Sequence, residues 1–536
     1  MLVHSVLRGR PAGAGRAVKG RGRTARLIAA GASVVMAGGA VAVAGTPASA
    51  APVRSAAAAP ATLVAAGSPG RDVLANLWEW NWPSVARECT SVLGPAGYGG
   101  VQVAPPADHL SRDYTSEDAP ILHPWWEVYQ PVRYSLTSRM GNEQQFKDMV
   151  ATCRRAGVKV YVDTVINHMT GQGTKSYGGN TYTHFSYPGL YSVEDFHQRG
   201  TDCPSATGGI DDFNDYRQVL RCELVGLADL RTDRPATRTK IVGYLNKLIG
   251  YGVSGFRVDA AKHIGQRDLL AIQSELRPTL DGDPAYFALE VFPGSPGQLS
   301  QRAFTGTGDV LGFDYAYQVK NAFKSYPAKA RGNITSLRVF GESAGLVPGG
   351  SSLVFIQNHD TERGSETLSY KDGATNVLAN QFMLAYPYGT PQVYSAFSFT
   401  NGYDSPPADA DGYVTDTNCR KGWVCVNRYT AIRSMVGFRN FVQGEPLENW
   451  FDDSVNLIAF SRGDKGFFAA NNAPTAKTVR VQTGLPGGRY CDIVDGGVRP
   501  GGCAGARIDV SASGIAKITV QGKDAIAFRA TDLVRG

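Results

Sequence analysis

Four apolar stretches of the chain run into a carboxylate: Val160-Tyr161-Val162-Asp163, Phe256-Arg257-Val258-Asp259, Phe287-Ala288-Leu289-Glu290, and Phe355-Ile356-Gln357-Asn358-His359-Asp360. Side chains alternate across a strand, so Arg257 and Asp259 share one face while Phe256 and Val258 share the other. A guanidinium beside a carboxylate lowers its pKa and keeps it ionised. An ionised carboxylate at a strand end can serve as a nucleophile. A single strand-end acid is ordinarily a helix cap or half of an ion pair. Four of them, separated by helix-like segments, imply parallel strands whose C-terminal ends lie on one side. In a closed α/β barrel that side carries the chemistry.

The elements that would position these acids follow a strand–helix alternation. Residues 73–80, 100–103 and 158–165 read as strands, with helices over 82–93, started by Pro83, and over 142–156, capped by Asn142. A loop between the second strand and the second helix carries Trp125, Trp126 and Tyr129. Between His168 and Pro235 the periodicity breaks down, and the stretch is too long for a plain loop. The alternation resumes with helices at 239–250, 268–276, 318–329, 375–385 and 428–442 and with strands ending near Asp259, Glu290, Phe313, Gln357 and Ser395. Eight strand–helix units predict a (β/α)8 TIM barrel, with a small irregular domain inserted after strand 3. After about Asn449, short alternating strands between glycine-rich turns predict a C-terminal all-β sandwich. The strands are expected at 455–461, 466–471, 477–482, 488–493, 507–510 and 517–520. The domain reading is a signal peptide over 1–50, a flexible stretch over 51–70, barrel segments 71–167 and 237–449, an inserted domain 168–236, and the sandwich 450–536.

Residues 1–50 have the form of a secretory leader: seven basic residues from Arg8 to Arg26, an Ala/Val/Gly run, then Ala48-Ser49-Ala50. The run is poor in leucine, which argues against a membrane anchor, and no later stretch is long enough to span a bilayer. The leader carries seven of the 54 basic residues and none of the 47 acidic ones, so the remainder is balanced. That balance gives no footprint for nucleic acid. All eight cysteines follow the leader, and export favours four disulfides. Sequence alone allows roughly a hundred pairings. Local spacing suggests Cys203–Cys222, Cys419–Cys425 and Cys491–Cys503, which leaves Cys89–Cys153.

The segments Asp163-Thr164-Val165-Ile166-Asn167-His168, Gly255 to His263, Glu290, and Phe355 to Asp360 together resemble, in order and spacing, the signature regions of the α-amylases of glycoside hydrolase family 13. His123-Pro124-Trp125-Trp126-Glu127, Gly422-Trp423-Val424-Cys425 and Gln482-Thr483-Gly484-Leu485-Pro486 resemble its animal-type branch, and all four cystine pairs fit that branch. The resemblance covers about 73–530. It implies that Asp259 is the nucleophile, Glu290 the general acid/base, and Asp360 the third carboxylate, which grips sugar hydroxyls. Retaining hydrolysis needs two carboxyls about 5–5.5 Å apart, one ionised and one protonated. The apolar run before Glu290 favours its protonated form. The resemblance further implies sugar contacts from Trp125, Trp126, Tyr129, His168, Arg257, Lys262 and His359. It implies a structural calcium held by side-chain oxygens of Asn167 and Asp229 and backbone carbonyls of Leu220 and His263, a donor set suited to a hard cation.

Two departures stand out. The animal-type enzymes hold an activating chloride with two arginines and an asparagine. Arg257 and Asn358 match, but the second arginine position falls on Gln392, so activity independent of chloride is expected. The family's glycine-rich loop after the third carboxylate is replaced by the short polar Thr361-Glu362-Arg363-Gly364-Ser365-Glu366-Thr367. The resemblance implies a secreted, monomeric endo-acting enzyme on starch, glycogen and maltooligosaccharides, with proteinaceous amylase inhibitors as candidate partners and neither nucleic acid nor membrane among them. A maltose-releasing exo-enzyme or a transglycosylase would share the same trio. A non-catalytic starch-binding protein would have no need of it.

Overall fold

The computed structural model describes residues 66–67, 70–116, 119–324 and 333–534. The leader and most of the stretch expected to follow it lie outside the described residues. Eight parallel strands pair in sequence order: β1 (Leu74–Leu77), β2 (Gly100–Val103), β3 (Lys159–Thr164), β4 (Gly255–Val258), β5 (Tyr286–Leu289), β6 (Asp309–Leu311), β7 (Ser352–Phe355) and β8 (Thr390–Phe397). β8 pairs with β1, with Leu74 opposite Gln392, and this closes the barrel. Both faces of the strands are buried, which is why they read as nearly continuous apolar runs.

Helices α1 (Trp82–Glu88), α2 (Glu143–Arg155), α3 (Pro235–Gly250), α4 (Gln266–Ser274), α5 (Phe313–Phe323), α6 (Ala374–Ala385) and α7 (Thr430–Phe441) surround the barrel. α2 shows how the sequence sets such a helix. The Asn142 side chain accepts the Gln145 N–H, and the Gln145 side chain accepts the Asn142 N–H, so two orphan donors are satisfied. Phe146, Met149, Val150 and Cys153 then form one buried stripe. α1 ends at Glu88 and the chain runs on as a wide π-type turn over Cys89–Leu93. α5 begins five residues before the expected start, at Phe313, and residues 325–332 lie outside the described residues.

The C-terminal part is a sandwich of two four-stranded antiparallel sheets. One has the order β9 (Leu447–Asp452), β10 (Leu457–Arg462), β11 (Gly466–Asn471), β16 (Asp524–Arg529); the other β12 (Lys477–Gln482), β15 (Ile515–Val520), β14 (Arg507–Val510), β13 (Gly488–Cys491). β9 and β16 were not expected from the sequence, and the reason is physical. β9 is bulged between Glu448 and Phe451, with Asn449 at φ 52°, so no clean alternation appears. β16 is apolar on both faces, because its sheet is the middle layer. Ala525 and Ala527 pack into the barrel-side core, while Ile526 and Phe528 pack against the outer sheet. The docking is fixed by a buried cation. The Arg462 guanidinium on β10 donates to the carbonyls of Ala385, Val442 and Glu445, at the C-terminal ends of α6 and α7. Unpaired carbonyls at a helix end carry partial negative charge, which a guanidinium satisfies.

The disulfides are Cys203–Cys222, Cys419–Cys425 and Cys491–Cys503, as the spacing suggested, and Cys89–Cys153, the pair left over. Among the described residues no helix is long and apolar enough to cross a membrane.

Candidate active site

β4 delivers a buried arginine to the C-terminal mouth of the barrel. Arg257 lies directly opposite Asp163 of β3 in the strand register, and Asp259 and Glu290 follow one residue beyond β4 and β5. Arg257 Nη1 donates to Asp163 Oδ1 at 2.8 Å and to Asp259 Oδ1 at 2.6 Å; Nη2 donates to Glu290 Oε1 at 2.5 Å. Just past Asp259 the backbone turns left-handed at Ala260 (φ 49°), and its N–H donates to Glu290 Oε2 at 2.8 Å. One guanidinium and one backbone amide thus fix both carboxyls. The Asp163 oxygen not held by Arg257 accepts the Tyr129 hydroxyl at 2.9 Å.

The charge balance differs from the local reading of the Arg257/Asp259 pair. Burial raises the Asp259 pKa to about 6, against the opposing pull of Arg257 and with a contribution from ionised Asp163. Asp259 is therefore ionised at neutral pH, but its pKa is not depressed. Burial, opposed by Arg257 and assisted by the Asp259 and Asp360 charges, raises Glu290 to about 8. Like charges in one dry site cannot all ionise together, and Glu290 keeps the proton.

These acids open onto a cleft. Trp125, Trp126, Tyr129, His168, Lys262, His263, His359 and Asp360 line it together with Asp259 and Glu290. Asp360 sits in a turn held by Asn358, whose side-chain oxygen accepts the N–H groups of Asp360 and Thr361. The His359 and His168 rings are neutral, as burial lowers them to about 3 and about 4. Lys262 is also buried, which lowers it to about 8, and its Nζ donates to Ser295 Oγ at 2.8 Å. Arg257 itself is not among the residues that line the cleft; it is buried and bonded to the acids. Gln392 donates to Gln102 at 2.9 Å inside the barrel.

Residues 130–281 match the family described as alpha amylase, catalytic domain, and residues 449–531 match alpha amylase, C-terminal all-beta domain. The chain is 44% identical over 436 residues to an α-amylase of Streptomyces violaceus, covering 81% of this chain and 71% of that one. It is 37% identical over 482 residues to the pancreatic α-amylase of Sus scrofa, covering 84% and 92%. The chain belongs to the α-amylase family. Its fold also superposes on α-amylase I of Eisenia fetida with a TM-score of 0.81 at 35% identity, covering 87% of this chain and 99% of that one. A Glu-to-Gln mutant of the same Eisenia enzyme was crystallised with maltohexaose.

This α-amylase cleft has walls that motif reasoning missed. Leu224, Val225 and Leu227 from the irregular segment, and Phe292 just after Glu290, also line it. Val225 is at φ 49°, an outlier for a β-branched residue, and Gly226 follows at φ 80°. No regular element carries these residues, so periodicity could not find them. Position offers a signal only for Phe292, two residues beyond a strand-end acid.

Among the four residues expected around a cation, two contacts are formed. The Asn167 amide donates to Asp229 Oδ1 at 3.4 Å, and His263 Nδ1 lies 3.0 Å from the Val219 carbonyl, next to Leu220 in the short helix Tyr216–Arg221. Asp229 is buried and also pairs with His197 at 2.8 Å. Among the described residues no group of three or more His, Cys, Asp or Glu is placed to hold a metal; this set is instead one carboxylate, one amide and two backbone carbonyls.

A reaction run by ionised Asp259 and protonated Glu290 must lose rate on both sides of neutrality. Below about pH 6 Asp259 gains a proton, and above about pH 8 Glu290 loses one. The expected log(kcat/KM) profile is a bell with those limbs. A plateau extending above pH 9 would contradict the assignment.

Proposed function

We propose that this α-amylase cleaves internal α-1,4 bonds of starch, glycogen and maltooligosaccharides with retention, through a covalent glycosyl intermediate on Asp259. The observation that carries the reading is the bonding of one buried arginine to both Asp259 and Glu290 at the floor of an aromatic cleft. Glu290 gives its proton to the glycosidic oxygen while Asp259 attacks the anomeric carbon. The leaving chain departs, and Glu290, now a base, draws a proton from the water that cleaves the ester. Asp360 and His359 hold hydroxyls of the reacting sugar, and His168 and Lys262 border the same site. Trp125, Trp126 and Tyr129 offer apolar faces to sugar rings. Arg257 acts by orienting the two acids rather than by touching the glucan.

The cation reading rests on the donor chemistry. Asn167 and Asp229 side chains with the Leu220 and His263 carbonyls form an all-oxygen set that fits calcium. Bound there, calcium would join the inserted domain, 168–236, to the barrel and supply structural rigidity. With Gln392 in place of a second cation, the enzyme works without chloride. The basic leader and four disulfides support secretion, and balanced charge supports neutral polysaccharide partners. A monomer and recognition by proteinaceous amylase inhibitors belong to the same reading.

Soluble starch digested in chloride-free buffer should lose iodine colour early and yield mixed oligosaccharides of retained anomeric form. Glu290→Gln should lower kcat by about 10²–10⁴. Maltose alone from the first minutes would point to exo action, longer glucans to transfer, and no turnover by the wild type to a binding protein. Chelation should lower the melting temperature and calcium should restore it. At about 100 times Kd the ion contributes ~2.7 kcal/mol. Asp229→Asn should abolish that response, and a melting curve indifferent to chelator would remove calcium from the account.

A further inference from the structure

Trp78, the residue immediately after β1, belongs to no assigned site and is completely buried. Two rings stack on its indole, His359 at 4.8 Å and 10° and Phe397 at 5.2 Å and 17°. His359 in turn stacks on Tyr129 at 5.0 Å and 15°, so Phe397, Trp78, His359 and Tyr129 are linked ring to ring. Trp125 meets Trp78 edge-on at 5.4 Å. The indole also makes a directed bond: Nε1–H donates to the Tyr129 hydroxyl at 3.1 Å, and that hydroxyl donates to Asp163, which accepts from Arg257.

His359 has little else to orient it. Its Nε2 is 3.3 Å from Asp360 Oδ2, and its Nδ1 is buried with no hydrogen-bond partner. A neutral imidazole with one long contact is held by stacking, and the rings it stacks on are Trp78 and Tyr129. The buried Arg363 guanidinium packs 4.9 Å from the Trp78 ring and 5.2 Å from Trp125, and it donates to the His359 carbonyl at 3.0 Å. Offset-stacked aromatic pairs and cation–π contacts each add directional stabilisation to simple burial. Three cleft residues thus depend on one indole: His359 by stacking, Tyr129 by a hydrogen bond, Trp125 by edge contact.

We infer that Trp78 is a positioning residue for the sugar site, setting His359, Tyr129 and Trp125 without touching glucan. This rests on the α-amylase reading above. The test compares kcat/KM on soluble starch with kcat/KM on a short aryl maltooligoside, for wild type, Trp78→Phe and Trp78→Leu. The ratio of the two is independent of the fraction of folded enzyme, so a merely structural role would leave it unchanged. A short substrate has few contacts beyond the site that Trp78 orders, so it should suffer more. Trp78→Phe keeps a stacking ring and loses only the donor; the short-to-long ratio should fall about two- to threefold. Trp78→Leu loses both and should fall about tenfold, with Phe as the partial rescue. If Trp78→Leu does not fold, Trp78→Phe decides. An unchanged ratio in every folded variant would overturn the inference, while failure of the wild type on both substrates would sink the α-amylase reading itself.

Discussion

A single buried guanidinium is the constraint on which the site depends. Arg257 is almost fully enclosed and bonds Asp163, Asp259 and Glu290. Three acids in a dry barrel mouth would repel one another and take up protons. One cation among them lets two ionise at neutral pH and leaves the third protonated. Removing one member of such a buried cluster typically costs about 3–5 kcal/mol, because the remaining charges lose their partner. The arrangement is therefore weak evidence for stability and strong evidence for a defined protonation pattern. Its register is set by the barrel: Arg257 faces Asp163 because β4 pairs with β3 in parallel, and Glu290 arrives because β5 ends level with β4.

The aromatic shell extends this order outward. Phe397, Trp78, His359 and Tyr129 are linked by pairwise ring stacking, and His359 and Tyr129 line the cleft. The Tyr129 hydroxyl joins the two systems, accepting from Trp78 and donating to Asp163. Asn358 has a comparable task on the other side, where its side chain closes the turn that presents Asp360. Rigid elements carry the acids, and short bonded turns carry the groups that surround them, as precise catalytic geometry requires.

Much of this was legible in the chain because it follows from local rules. Alternation put Arg257 and Asp259 on one face, parallel pairing gathered the strand-end acids, and cysteine spacing gave three of four pairs. What escaped came from tertiary context. The pair Arg257–Asp259 implied a depressed pKa, but burial acts on the whole cluster and lifts Asp259 instead. Val225 and Phe292 line the cleft from positions without periodicity. Trp78 reads as a core aromatic, since nothing in Leu77-Trp78-Glu79 shows that His359 will lie on its face. β16 hid because a strand between two cores lacks the polar alternation of an exposed sheet.

The most direct test of the account is the pH dependence of kcat/KM for Arg257→Gln beside the wild type. Without the guanidinium, Asp259 loses the one opposite charge that opposes its burial. Its limb should then move from about 6 to about pH 7 or above, with the Glu290 limb also moving up. Limbs that stay at their wild-type positions in a folded, residually active variant would show that Arg257 does not set the acid–base pair, and the account would fail at its centre.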